Sequence, residues 1–176
     1  MIFLSEILSS LTLVLGGQRS GKSSYAESLI RPDQKAIYVA TAQALDKEMK
    51  ERVGAHKGRR GKNWKTVEEP IDLASVLLMN DKAFRPILVD SLGMWISNLL
   101  AHDKDVKKQI LALIQALEDI EAPLVIVSDE VGLGIIPNNA LARSFIDELG
   151  TLNQLISDRA DIVVFVTAGL PMYLKG

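Results

Sequence analysis

The sequence predicts one α/β domain, a mostly parallel sheet with helices on both faces. Three observations carry this expectation. Five short apolar runs recur along the 176 residues, each nearly continuous in Val, Ile and Leu rather than alternating. A strand covered on both faces reads that way. Longer segments with helical spacing separate the runs, and strand–helix alternation supplies the crossovers that parallel neighbours need. Finally, polar residues gather just after the runs, at the carboxyl ends of the strands, where open α/β sheets bind ligands.

Taken in order, residues 11–15 (Leu-Thr-Leu-Val-Leu) form the first strand and end at a glycine pair. A helix follows over 22–30. Residues 36–40 (Ala-Ile-Tyr-Val-Ala) are the second strand. The helix expected over 44–56 puts Leu45, Met49, Arg52, Val53 and His56 on one face, because they recur at spacings of three, four and seven. Another helix spans 71–79. The run 86–90 (Pro-Ile-Leu-Val-Asp) is the third strand, followed by helices over 92–100 and 105–121. Residues 124–128 are the fourth strand, 139–159 a helix, and 162–167 the fifth strand.

This length suits a single domain, residues 1–176, with a sizeable core. Hydrophobic residues make up 48% and charged residues 24%, the balance of a globular protein. A net charge of −2 provides no global cationic field for nucleic acid. The absence of Cys excludes disulfides and thiolate metal sites and fits a reducing cytoplasm. Residues 2–15 are apolar but broken by Ser5, Glu6, Ser9, Ser10 and Thr12, without a basic leader, so no signal peptide is read there. No uncharged stretch is long enough to span a bilayer.

The octet Gly16-Gly17-Gln18-Arg19-Ser20-Gly21-Lys22-Ser23 fits the phosphate-binding pattern G-x-x-x-x-G-K-[ST], with a strand before it and a helix after it. Its glycines let backbone N–H groups turn inward around phosphate oxygens, and the helix N-terminus adds its dipole. Lys22 is expected to reach the β- and γ-phosphates and Ser23 to ligate Mg²⁺. Asp90 ends an apolar run as a Walker B carboxylate does. It is either a second Mg²⁺ ligand or the N-cap of the helix from Leu92.

His56 points where the apolar side chains of its helix point. Taken alone it is a satisfied core or cap residue; beside a phosphate site, its imidazole is a nucleophile for phosphorus. The basic run Lys57-Gly58-Arg59-Arg60-Gly61-Lys62 behind it is either a solvated loop or an anion contact. Asp129-Glu130 either orients a substrate hydroxyl or a metal-bound water, or serves a turn. His102 lies in a polar connection and reads as exposed and inert.

Together these residues resemble the bifunctional adenosylcobinamide kinase / adenosylcobinamide-phosphate guanylyltransferase family of cobalamin biosynthesis. The resemblance runs from the octet through Tyr38-Val39-Ala40-Thr41-Ala42, Arg52-Val53 with His56-Lys57 and Arg60, and Trp64 with Thr66 and Glu68. It continues through Val89-Asp90-Ser91-Leu92 with Trp95, Glu130-Val131-Gly132-Leu133-Gly134, Asn153-Gln154 and Ala168-Gly169-Leu170-Pro171. It implies a RecA-like P-loop NTPase fold and two reactions. ATP or GTP phosphorylates adenosylcobinamide; GTP then gives GMP to adenosylcobinamide phosphate through a GMP-histidine intermediate, for which the matching residue is His56. Implied nucleotide contacts are residues 16–23, Thr41, Ala42, Gln43, Lys57, Gly58, Arg59, Arg60, Glu68 and Asp90. A homotrimer is implied as well. Departures are Asp129 where Asn is usual, Ser91 where Cys is common, Gly61 for a Pro, about ten extra leading residues, and a short segment at 101–105.

Two other readings compete. A P-loop ATPase or GTPase switch or motor needs a catalytic carboxylate after Asp90 or an ABC-type signature, and the sequence has Ser91 and no such signature. A nucleic-acid module built on residues 57–62 needs a wider basic face than the acidic overall balance suggests.

Overall fold

A computed structural model describes residues 8–43 and 61–176. The elements run β1 (Leu11–Gly16), α1 (Lys22–Ser28), β2 (Ala36–Ala40), β3 (Trp64–Glu68), α2 (Leu73–Asn80), β4 (Ile87–Asp90), α3 (Leu92–Ala101), α4 (Val106–Asp119), β5 (Leu124–Asp129), α5 (Ala140–Arg159), β6 (Ile162–Thr167) and β7 (Leu170–Lys175). The helix expected over 44–56 lies outside the described residues, as do His56, Lys57, Gly58, Arg59 and Arg60.

The strands form one sheet in the order β3-β2-β4-β5-β1-β6-β7. Every pairing is parallel except β6 with β7. All five expected strands are present within a residue. Two more were not expected. In β3 the residues are half-buried or exposed, so the run carries no apolar block to read. β7 is exposed throughout and contains Pro171, which has no N–H to donate and belongs at an edge.

Successive residues of a strand face opposite sides, and the core divides accordingly. On one side Leu13, Ile37, Val89 and Ile126 pack with Leu77 of α2, Trp95 and Leu99 of α3, Leu113 of α4 and Leu152 of α5. On the other, Val14, Leu88, Val125, Val127 and Val164 pack with Ala26 of α1. Fully burying one such Leu or Ile contributes about 1.5–3 kcal/mol. Trp95, with no exposed surface, donates its indole N–H to the Ile71 carbonyl at 2.8 Å, so its one polar atom is satisfied.

Local chemistry sets the helix starts. Asp72, Ser91, Asp105 and Asn139 cap α2, α3, α4 and α5 by accepting from free first-turn N–H groups. Because β1, β2, β4 and β5 are parallel and in register, Gly16, Ala40, Asp90 and Asp129 all arrive at one edge of the sheet.

Candidate active site

The site grows from the turn between β1 and α1. Gly16 is there because nothing larger fits: a Cβ would lie 2.5 Å from the Ser20 Oγ and 2.6 Å from the Val166 carbonyl. Ser20 N–H closes the turn on the Gly17 carbonyl at 3.3 Å. Gly21 then takes φ +98°, a region L side chains resist, and α1 starts at Lys22. Gln18 and Arg19 are exposed at the tip, while Ser20 is buried. A second turn braces the first. Gly169, between β6 and β7, donates its N–H to the Ser20 carbonyl at 2.8 Å.

The Lys22 ammonium folds back over this loop. It donates to the Gly17 carbonyl at 3.1 Å and pairs with the Asp129 Oδ1 at 2.8 Å. Both side chains are largely buried, 10% and 21% exposed. The Asp129 Oδ2 accepts from the Ser91 hydroxyl at 3.3 Å. Helix α3 is cut away to admit this carboxylate, since a Cβ on Gly93 would run into it. Behind it, Asn153 on α5 donates to the Asp129 carbonyl at 3.1 Å and accepts from the buried Ser128 hydroxyl at 2.6 Å.

Asp90 ends β4, with β5 between it and the loop. Its Oδ2 accepts from the Tyr38 hydroxyl at 2.7 Å. It does not cap α3; Ser91 does, accepting from the Met94 N–H at 3.4 Å. Thr41, fully buried, clasps the turn after Asp90. Its hydroxyl donates to the Ser91 carbonyl at 2.7 Å and accepts from the Ser91 N–H at 2.9 Å, while its carbonyl accepts from Asn98 at 2.7 Å. Ala42 and Gln43 follow at the same edge, half-buried. Glu68 ends β3 beside Ala40, so it too lies on this edge, exposed. Ser23 is half-buried in the first turn of α1.

The structure therefore brings the octet, Thr41, Asp90 and Glu68 to one sheet edge. Asp129 makes the ion pair to Lys22, and its neighbour Glu130 takes the turn role by accepting from the Gly132 N–H at 2.6 Å. Sequence reasoning gave Tyr38 no place beside Asp90, since an aromatic in an apolar run reads as core. His102 is exposed at the end of α3, its ring Nδ1 2.9 Å from the Asn98 carbonyl. Among the described residues, no cluster of three or more His, Cys, Asp or Glu is placed to hold a metal ion. Among them, too, no helix is long and apolar enough to cross a membrane.

A parallel sheet whose first strand enters a glycine loop closed by Lys, with an acid-ended strand two places along, defines a nucleotide-binding P-loop α/β protein. A solved structure from Pyrococcus horikoshii OT3 shares that fold. It aligns with a TM-score of 0.54 over 96% of this chain and 87% of its own, at 8% identity. The family model for cobinamide kinase / cobinamide phosphate guanyltransferase matches residues 12–174, and the chain belongs to that family. It is a bifunctional transferase of cobalamin biosynthesis, kinase and guanylyltransferase. The bifunctional adenosylcobalamin biosynthesis protein CobP of Pseudomonas aeruginosa is 44% identical, over 93% of this chain and 96% of its own. The bifunctional adenosylcobalamin biosynthesis protein CobU of Escherichia coli is 34% identical and that of Salmonella typhimurium 35%, each over 94% of this chain and 99% of its own.

Proposed function

We propose that the carboxyl edge of the sheet binds ATP or GTP, phosphorylates adenosylcobinamide, and then makes adenosylcobinamide-GDP from GTP with His56 as the GMP carrier. The observation that supports this is the Lys22 ammonium folded back over the octet, 3.1 Å from the Gly17 carbonyl. A cation held at that point faces the β- and γ-phosphates of a bound triphosphate. In the first reaction the substrate hydroxyl oxygen bonds to the γ-phosphorus and the β–γ bridge breaks, releasing a diphosphate. In the second, a His56 ring nitrogen bonds to the α-phosphorus of GTP and pyrophosphate leaves. A phosphate oxygen of adenosylcobinamide phosphate then displaces His56 from the GMP. Lys57, Arg59 and Arg60 offset charge beside His56, and Thr41, Ala42, Gln43, Gly58 and Glu68 complete the nucleotide contacts.

Mg²⁺ belongs to the same reading. Ser23 and Asp90 offer hydroxyl and carboxylate oxygens, the donors a hard cation prefers, and among the described residues the Asp90 Oδ1 carries no hydrogen bond. The ion, when bound, neutralises phosphate charge. Assembly as a homotrimer and a cytoplasmic location also belong to this reading.

The test is incubation with α-labelled GTP. One GMP should attach to the peptide containing His56, through a bond labile in acid and stable in base. His56→Ala should lose guanylyl transfer and keep phosphorylation of adenosylcobinamide. An adduct on His102, or a His56→Ala variant that makes adenosylcobinamide-GDP at the parent rate, overturns the carrier role.

A further inference from the structure

Among the described residues, the Asp129 carboxylate lies in the site, yet the two reactions leave it without a task. Its placement is nevertheless well defined. The register sets it beside Gly16, the first residue of the phosphate loop. Ser91, Asn153 and the missing side chain of Gly93 fix its position, and its Oδ1 holds the Lys22 ammonium at 2.8 Å. The cation that must meet incoming phosphates is therefore paired with an anion of the protein itself.

Two consequences follow from the charges. A diphosphate or triphosphate either takes Lys22 from Asp129 or shares Lys22 with it. In both cases a largely buried carboxylate opposes the phosphates, in surroundings where screening by solvent is weak. Conversely, a nucleotide that leaves does not strand an unpaired buried ammonium, because Asp129 takes it back. The sequence holds one P-loop octet. On the functional reading above, on which this inference rests, the diphosphate of the first reaction must vacate that loop before GTP serves the second.

We propose that Asp129 is the release counter-ion of the phosphate site: it recaptures Lys22 from the outgoing diphosphate and so speeds nucleotide exchange on the one loop. It is a positioning residue, acting on phosphate through Lys22. A neutral amide of the same shape still accepts from Ser91 but no longer competes for the ammonium.

The experiment is the dissociation of a fluorescent ADP from the full-length protein by stopped flow in EDTA, so that no metal ion contributes. Asp129→Asn should bind ADP more tightly and release it about tenfold more slowly, since the loss of a competing charge-assisted contact appears mainly in the off-rate. Asp129→Ser, which also removes the charge and fits the space, should behave alike, and covers the case in which the amide disturbs folding. Glu130→Gln makes the same change in net charge one residue away and should leave release unchanged. Release from Asp129→Asn and Asp129→Ser at the parent rate or faster overturns the proposal. So does equal slowing by Glu130→Gln, which points to the general field instead. No corrinoid enters this measurement. A parent protein that exchanges ADP as expected but fails to phosphorylate adenosylcobinamide counts against the functional reading alone.

Discussion

Two carboxylates end adjacent strands at the same sheet edge, and they differ in what they face. Asp129 on β5 meets an ammonium at 2.8 Å, whereas Asp90 on β4 meets a phenolic hydroxyl at 2.7 Å. A hydroxyl donor orients a carboxylate and leaves its negative charge in place; an ammonium cancels it. Asp90 therefore stays available to a cation from solution, and Asp129 is spent on a cation of the protein. Position in the sheet does not separate these roles, because both residues are the last of a parallel strand. The partner supplied by the neighbouring strand or loop separates them.

The largest effect should come from removing the cation on the Asp129 side. Lys22→Ala deletes the charge proposed to meet the β- and γ-phosphates, and kinase turnover should fall by about 10²–10³-fold, the scale for losing one preorganised donor to developing charge. It also strands the Asp129 carboxylate, at about 1–3 kcal/mol of stability. Steady-state kinetics and a thermal melt measure the two consequences separately. Near-parental phosphorylation would sink Lys22 as a phosphate ligand.

Next in size is the charge on the other side. Asp90→Asn keeps an oxygen for Tyr38 and removes the anion. Turnover at fixed Mg²⁺ should fall about 10–100-fold, as is usual when the shell around a metal is disturbed, with part of the loss recovered at high Mg²⁺. Superimposable Mg²⁺ titrations of variant and parent would leave Asp90 as a scaffold residue only.

How much of this was legible beforehand follows the range of each interaction. The octet, the five core strands and most helix starts are local signals. Glycines at fixed offsets, continuous Val/Ile/Leu runs and a capping Asp or Asn all declare themselves within a few residues. β3 escaped because its sequence, Trp-Lys-Thr-Val-Glu, carries no apolar block, and what makes it a strand is pairing with β2. β7 escaped because Leu-Pro-Met-Tyr-Leu-Lys forms a strand only by returning against β6. The Asp129 ion pair spans 107 positions from Lys22, and no spacing rule reaches that far. The two roles open to Asp90 in the sequence were divided by one contact. Ser91 provides the helix cap, which frees Asp90 from that task.

The smallest effect tests the hydroxyl on the Asp90 side. Tyr38 is 4% exposed and its ring meets Trp64 edge-on, with centroids 6.1 Å apart and planes at 73°. Tyr38→Phe keeps that ring packing and removes the hydroxyl that donates to the Asp90 Oδ2. Asp90 retains its charge, and being half-buried it takes a water in place of the phenol. Loss of the hydrogen bond to Asp90 costs about 0.5–1.5 kcal/mol, which corresponds to roughly a two- to tenfold rise in the Mg²⁺ needed for half-maximal turnover. The measurement is a Mg²⁺ titration of kinase activity for parent, Tyr38→Phe and Asp90→Asn side by side, with Tyr38→Phe between the other two. A Tyr38→Phe curve that coincides with the parent shows that the hydroxyl serves packing and that Asp90 holds its position without it. A curve that coincides with Asp90→Asn removes the distinction between orienting a carboxylate and charging it, because losing the donor would then equal losing the anion.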